Sequence, residues 1–132
     1  METKIRYFVL IGVLSLEGAG AYAHHAVQAQ FDVTATAEVT GVVTDVEWIN
    51  PHPQIYLEVP NEEGGAVPWH FEAAVLDVMR RTGAVRELQV GDTFTVRFHP
   101  ARREGLNAGI VRELINEEGE TVFAVSLRDA SR

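Results

Sequence analysis

The sequence contains no cysteine. That absence excludes disulfides, thiolate metal sites, a cysteine lipid anchor and cysteine nucleophiles together. An exported domain of this composition must be held by its core alone. Lysine is almost missing as well: Lys4 is the only one. Positive charge is scarce throughout, with 11 Lys and Arg against 19 Asp and Glu and a formal net charge of −8. Such a chain repels phosphate backbones, so nucleic acid is excluded as a partner, whereas metal ions, cationic ligands or a basic protein suit the sign. The longest apolar run is about half the ~20 residues that span a bilayer, which argues against a membrane span. There is no G-x-S-x-G, H-E-x-x-H, Walker loop or dinucleotide fingerprint. The reading therefore leans away from an enzyme. What remains is sufficient for one domain: 132 residues, 46% of them hydrophobic, enough for a core and too few residues for two.

The first 23 residues read as a secretory signal peptide. Lys4 and Arg6 supply the positive start, Phe8 to Leu16 the apolar stretch, and Ala21-Tyr22-Ala23 the A-x-A cleavage pattern. Glu2 and Glu17 dilute the pattern and cancel the two cations, so the mature chain keeps the charge of −8. This places the protein in the periplasm or outside the cell. Residues 24–37 have no clear period and read as an extended arm; residues 38–132 form a single domain.

From Glu38 the β signal is strong. Val39, Val42, Val43, Val46, Trp48 and Ile49 predict a first strand to about Asn50. Pro51-His52-Pro53 forces a turn, because proline donates nothing to a ladder. Gln54 to Val59 alternates Ile55, Leu57 and Val59 against Gln54, Tyr56 and Glu58, a half-buried strand. Ala66 to Ala73 is a third. Val75, Leu76 and Met79 then fall at helical spacing, Arg80 and Arg81 suit the C-terminal turn, and Gly83 stops the helix. Thr93 to Phe98, Ala108 to Ile115 and Thr121 to Ser126 complete six strands. Three strands, one short helix, then two or three strands is the order of an OB-fold, a small five- to six-stranded barrel. A small β-sandwich is the alternative.

Five histidines carry the candidate chemistry: His24, His25, His52, His70 and His99. Neutral imidazole suits copper, zinc, iron and nickel. Cleavage after Ala23 makes His24 the mature N-terminus, where its α-amine and imidazole chelate one metal; a third nitrogen from another histidine completes the brace arrangement that suits copper. His25 offers a further imidazole. His52 and His99 fall, in an OB-fold, in the loops after the first and fourth strands, which flank the ligand face. Proline beside each limits backbone freedom. The arm spans roughly 45 Å at ~3.3 Å per residue, enough to run back along a strand of about 40 Å and meet them. Asp32, Glu47 and Asn50 are candidates to orient these ligands from behind. His70, inside the third strand, reads as a hydrogen-bonded, half-buried residue rather than a ligand. Trp48, Tyr56 and Arg102 offer a different ligand face, and the Arg102-Arg103 pair an anion contact.

Taken together, His24-His25 after a signal peptide, Phe31-Asp32, Gly41-x-Val43, Glu47-Trp48-x-Asn50-Pro51-His52, Trp69-x-x-Glu72, Leu88-x-x-Gly91-Asp92 and His99-Pro100-Ala101-Arg102 resemble a family of small exported bacterial proteins of unknown function. The resemblance runs over nearly all of the mature chain and implies an exported single domain. Ala26 stands where serine commonly follows the histidine pair, and Pro53 where an aromatic or small residue is more usual, which bears on the turn at His52. The resemblance implies no activity. Residue chemistry points to a periplasmic metal-binding protein with His24, His25, His52 and His99 as ligands, copper before zinc, and an envelope protein as a further partner. The alternative is an OB-type module that binds a small molecule or protein without metal.

Overall fold

Strand β1 (Ala37–Glu47) turns into β2 (Gln54–Pro60) and β3 (Ala66–Glu72); two short helices follow, α1 (Leu76–Thr82) and α2 (Ala84–Glu87), then β4 (Thr93–Pro100), β5 (Ala108–Ile115) and β6 (Thr121–Ala124). The structure is a computed structural model that describes residues 26–73 and 75–125. Residues 1–23, which the sequence reading takes as a signal peptide, and His24 and His25 lie outside the described residues.

Six strands form one sheet in the order β3-β2-β1-β4-β5-β6. Three parallel pairs, His70 with Ala108, Phe71 with Gly109 and Glu72 with Ile110, join β3 to β5. That pairing closes β1 to β5 into a five-stranded barrel, with β6 added beyond β5. The strand order, the closure and the helices between β3 and β4 make this an OB-type barrel.

Alternation decides which side chains fill it. Ile55 and Leu57, Phe71 and Ala73, Phe94, Val96 and Phe98, and Val111 and Leu114 point inward and are buried. Helix α1 caps the interior with Met79; Gly83 ends it in the left-handed conformation at φ 83°, its N–H donating to the Arg80 carbonyl. The chain then restarts as α2, which the sequence gives no sign of, because Gly83 reads only as a stop. Ala84 and Leu88, four residues apart, add to the same interior cluster.

Two differences from the sequence expectation matter for the site. The arm is not extended at its start: residues 26–30 are helical, and the Phe31 N–H donates to the Val27 carbonyl at 2.8 Å. Ala26, Gln28, Ala29 and Gln30 are good helix formers, a local preference that lack of period conceals. Second, β4 runs on through His99 to Pro100. His99 is a strand residue rather than a loop residue, since its backbone pairs with Ile110 of β5.

Candidate functional site

The outer face of the barrel wall carries one continuous row. Gln54 pairs with Glu72, Glu72 with Ile110, and Ile110 with His99. All four alternate with inward residues, so all four face outward. Ile110 and His99 are nonetheless buried, at 6% and 3% exposure. What covers this end of the row is the arm. The Asp32 N–H donates to the Pro100 carbonyl and the Arg102 N–H to the Gln30 carbonyl, each at 2.8 Å, with Phe31 bridging Ala101 between them. The Arg102 side chain adds a bond from Nε to the Gln28 carbonyl at 2.7 Å. Phe31 is buried, yet neither it nor Ile110 belongs to the interior cluster. They form a second, smaller buried layer outside the wall.

His99 is held from this layer. Its Nδ1 donates to the Ala35 carbonyl at 2.6 Å. His52, on the β1–β2 turn, does the same: Nδ1 donates to the Ala73 carbonyl at 3.2 Å, with Glu72 Oε1 4.0 Å away. A carbonyl only accepts, so Nδ1 carries the proton in both rings and Nε2 keeps its lone pair when the ring is neutral. This is the tautomer found in histidines that ligate through Nε2. The turn that presents His52 contains a cis Asn50–Pro51 peptide and is tied down by the Leu76 N–H to Pro51 and the Ala73 N–H to Pro53.

A line of polar contacts runs from His52 along β2 and β3. Gln54 Nε2 donates to the His52 carbonyl at 3.0 Å, which turns its Oε1 toward His70. His70 Nε2 donates to that oxygen, and the His70 ring stacks on Tyr56 at 4.7 Å between centroids, 8° from parallel. Burial, then the nearby Glu47 and Asp45 carboxylates, push the Tyr56 hydroxyl above its ordinary range. Gln54, His70 and Glu72 thus join the site although the sequence reading gave them little weight. Alternation alone places them outward; only the β2–β3 register puts them side by side.

Of the remaining candidates, Trp48 packs against the interior cluster and Glu47 is exposed at the end of β1. Asn50 precedes the cis peptide, and no hydrogen bond ties its side chain to the described residues. Asp32 sits in the arm. The Thr34 hydroxyl and then the Thr34 amide hold its carboxyl below the ordinary range, with Arg102 contributing and desolvation opposing. A lowered folded-state value stabilises above the unfolded pKa and is lost as pH falls through the folded one. The turn at Asp32 is therefore expected to loosen under acid. Amide exchange at Thr34 should quicken as pH drops below about 4, after correction for intrinsic rates, and Asp32→Asn should abolish that dependence.

Gln54 and His99 stand three strand steps apart on the row, about 14 Å around the wall at the usual strand spacing. The structure brings His52 toward Glu72, Gln54 and His70 and sets His99 apart under the arm. Among the described residues no group of three His, Asp or Glu side chains is placed to hold a metal ion. Between these two halves lies a cleft of about 430 Å³, with Ala29, Gln30 and Phe31 of the arm on one side and His70 and Glu72 on the other. The loop after β4 supplies Arg102, Arg103 and Leu106.

Fold and site together define an OB-type barrel with its N-terminal arm docked against the outer wall. No helix among the described residues is long and apolar enough to cross a membrane. A family of unknown function, DUF6152, matches residues 12–111, and the chain belongs to that family. No curated protein matches it.

Proposed function

We propose that the protein is exported, loses the segment ending at Ala23, and binds one metal ion, copper ahead of zinc, through its new N-terminus. The α-amine and imidazole of His24 form the chelate, with His25 beside them. Such a brace requires only one more imidazole from the barrel, so the lack of a three-ligand group among the described residues does not count against it. His99 and His52 are the candidates the sequence singles out, and His70 is the histidine that shares a cleft with residues 29–31. Nitrogen ligation without sulfur favours Cu(II) over Zn(II).

The observation that carries this reading is the anchoring of the arm. Residues 28–32 are bonded to Pro100–Arg102 rather than left loose, so the chain that leads to His24 begins at the edge of the cleft. The shared tautomer of His52 and His99 is a second support, since each presents an Nε2 lone pair. A role in holding or passing on copper in the cell envelope follows, with a basic or metal-bearing protein as the partner that a charge of −8 suits.

The test uses the chain starting at His24, titrated with Cu(II) and Zn(II) by calorimetry beside a version with one extra N-terminal residue. The expected result is one-to-one copper binding that the extra residue weakens by at least about tenfold, roughly 1.4 kcal/mol. Absence of binding to either form sinks the reading. Equal binding to both removes the α-amine, and the brace with it.

A further inference from the structure

The cleft has a chemistry that metal binding does not use. Phe31, Leu106, Ala29, Ala101 and Ala108 give it an apolar lining. Leu106 is 49% exposed, so its side chain adds apolar surface to the open side of the cleft. Two guanidinium groups, Arg102 and Arg103, stand on the loop at its lip. They are treated differently. Arg102 is spent on the Gln28 carbonyl and lies 3.9 Å from Asp32. Arg103 makes no ion pair or hydrogen bond with the described residues.

Glu72 is the only carboxylate among the described residues that line the cleft, and its Oε1 lies 4.0 Å from Nδ1 of His52. Among the described residues the cleft therefore presents an apolar floor, one uncommitted cation, and a histidine fixed by Gln54 and Tyr56. In a chain of net charge −8, this is a local reversal of sign. Its volume of about 430 Å³ lies in the range of small-molecule sites.

We infer that this cleft binds a small organic anion with an apolar body, an aromatic or short aliphatic carboxylate. The carboxylate lies against Arg103, and the apolar part covers Phe31 and Leu106. Arginine suits the planar two-oxygen group through paired N–H donors. The arm contributes one wall, so the site exists only while Phe31 is docked.

The experiment uses the chain starting at His24, with EDTA present throughout, so that its outcome does not depend on the metal reading. Benzoate and octanoate are titrated by chemical-shift perturbation, beside benzyl alcohol and benzylamine. The expected result is saturable binding of at least one anion, with shifts at Ala101, Leu106 and Ala108. Benzyl alcohol should bind at least tenfold more weakly and benzylamine not measurably. Arg103→Glu should weaken the anion at least tenfold, with the melting temperature of the barrel unchanged because the side chain is exposed. Arg103→Lys, which keeps the charge but loses the fork, should fall between. The inference is overturned if neither anion binds, if benzyl alcohol binds equally well, or if Arg103→Glu leaves the affinity intact. Saturation of one aromatic acid but not octanoate assigns the occupant to aromatic acids, and the reverse assigns it to fatty acids.

Discussion

Gly109→Ala is expected to lower the melting temperature by about 10 °C, from overpacking of about 2 kcal/mol in a domain of this size. Gly109 sits in β5 at the seam where the barrel closes, opposite Phe71 of β3 on one side and Pro100 of β4 on the other. A Cβ there would stand 2.7 Å from the His99 carbonyl oxygen and closer still to Cδ2 of the Phe98 ring. The ring has nowhere to go. Phe98 is 1% exposed and lies against Trp69 at 5.4 Å and Phe71 at 4.9 Å between centroids. Displacing it disturbs an aromatic cluster that contributes much of the interior, at about 1.5–3 kcal/mol for each fully buried large side chain. Moving the backbone instead would disturb the closure itself, because Gly109 is the middle of the three residue pairs that join β3 to β5. The check is thermal unfolding followed by circular dichroism, with Gly119→Ala as the comparison. Gly119 has open space but a φ of 84°, so alanine there costs about 1 kcal/mol through backbone strain alone. The double variant Gly109→Ala/Phe98→Leu should cost less than the two single changes together, because the smaller side chain vacates the space that the new methyl needs. A Gly109→Ala protein that melts within about 2 °C of the parent would mean that the seam is not close-packed.

The barrel was largely legible in the sequence, and the site was not. Alternation in Gln54–Val59 and Thr93–Phe98, the Pro-His-Pro turn and Gly83 placed β2, β4, the β1–β2 turn and the end of α1, because each is a local signal with a local cause. Ala108 to Ile115 matched β5 at both ends. The site depends on register and on tertiary docking. That Gln54 faces Glu72, or that Tyr56 stacks on His70, follows from pairings that alternation permits but does not choose. His99 was legible as a histidine beside a proline. Its burial was not, because the arm that holds it comes from far away in sequence: Ala35, whose carbonyl accepts from Nδ1, is 64 positions away. The cleft is further removed still, since its walls come from the arm, β3 and the loop after β4. Phe31-Asp32 was visible as a motif without a mechanism; the structure supplies one, with Phe31 filling the outer layer and Asp32 forming the turn that leads into β1.

Phe31→Ala is expected to release the arm while leaving the barrel folded. Truncating a well-buried phenylalanine typically costs about 3–5 kcal/mol. The other ties of the arm are a few backbone bonds and the Arg102 contacts, each contributing only about 1 kcal/mol net. The loss therefore outweighs what remains, and the arm should undock locally. Global stability should survive, because the interior cluster contains neither Phe31 nor Ile110. Amide exchange separates the two cases. Protection at Asp32 and Arg102, whose N–H groups bond to Pro100 and Gln30, should fall by about 100-fold, equivalent to roughly 2.7 kcal/mol. Protection at Val96 and Leu114, deep in the wall, should not change. A uniform fall at all four would place Phe31 within the cooperative core, and an unchanged pattern would mean that the backbone bonds alone hold the arm. Local release also reaches function, because His99 then loses Ala35 as its acceptor and the cleft loses the wall formed by residues 29–31. Copper affinity at the N-terminus should weaken in the same variant only so far as a barrel histidine completes the site. The proposed chelate of α-amine and imidazole within His24 would not depend on docking, so the size of that loss would measure the barrel's share of the ligation.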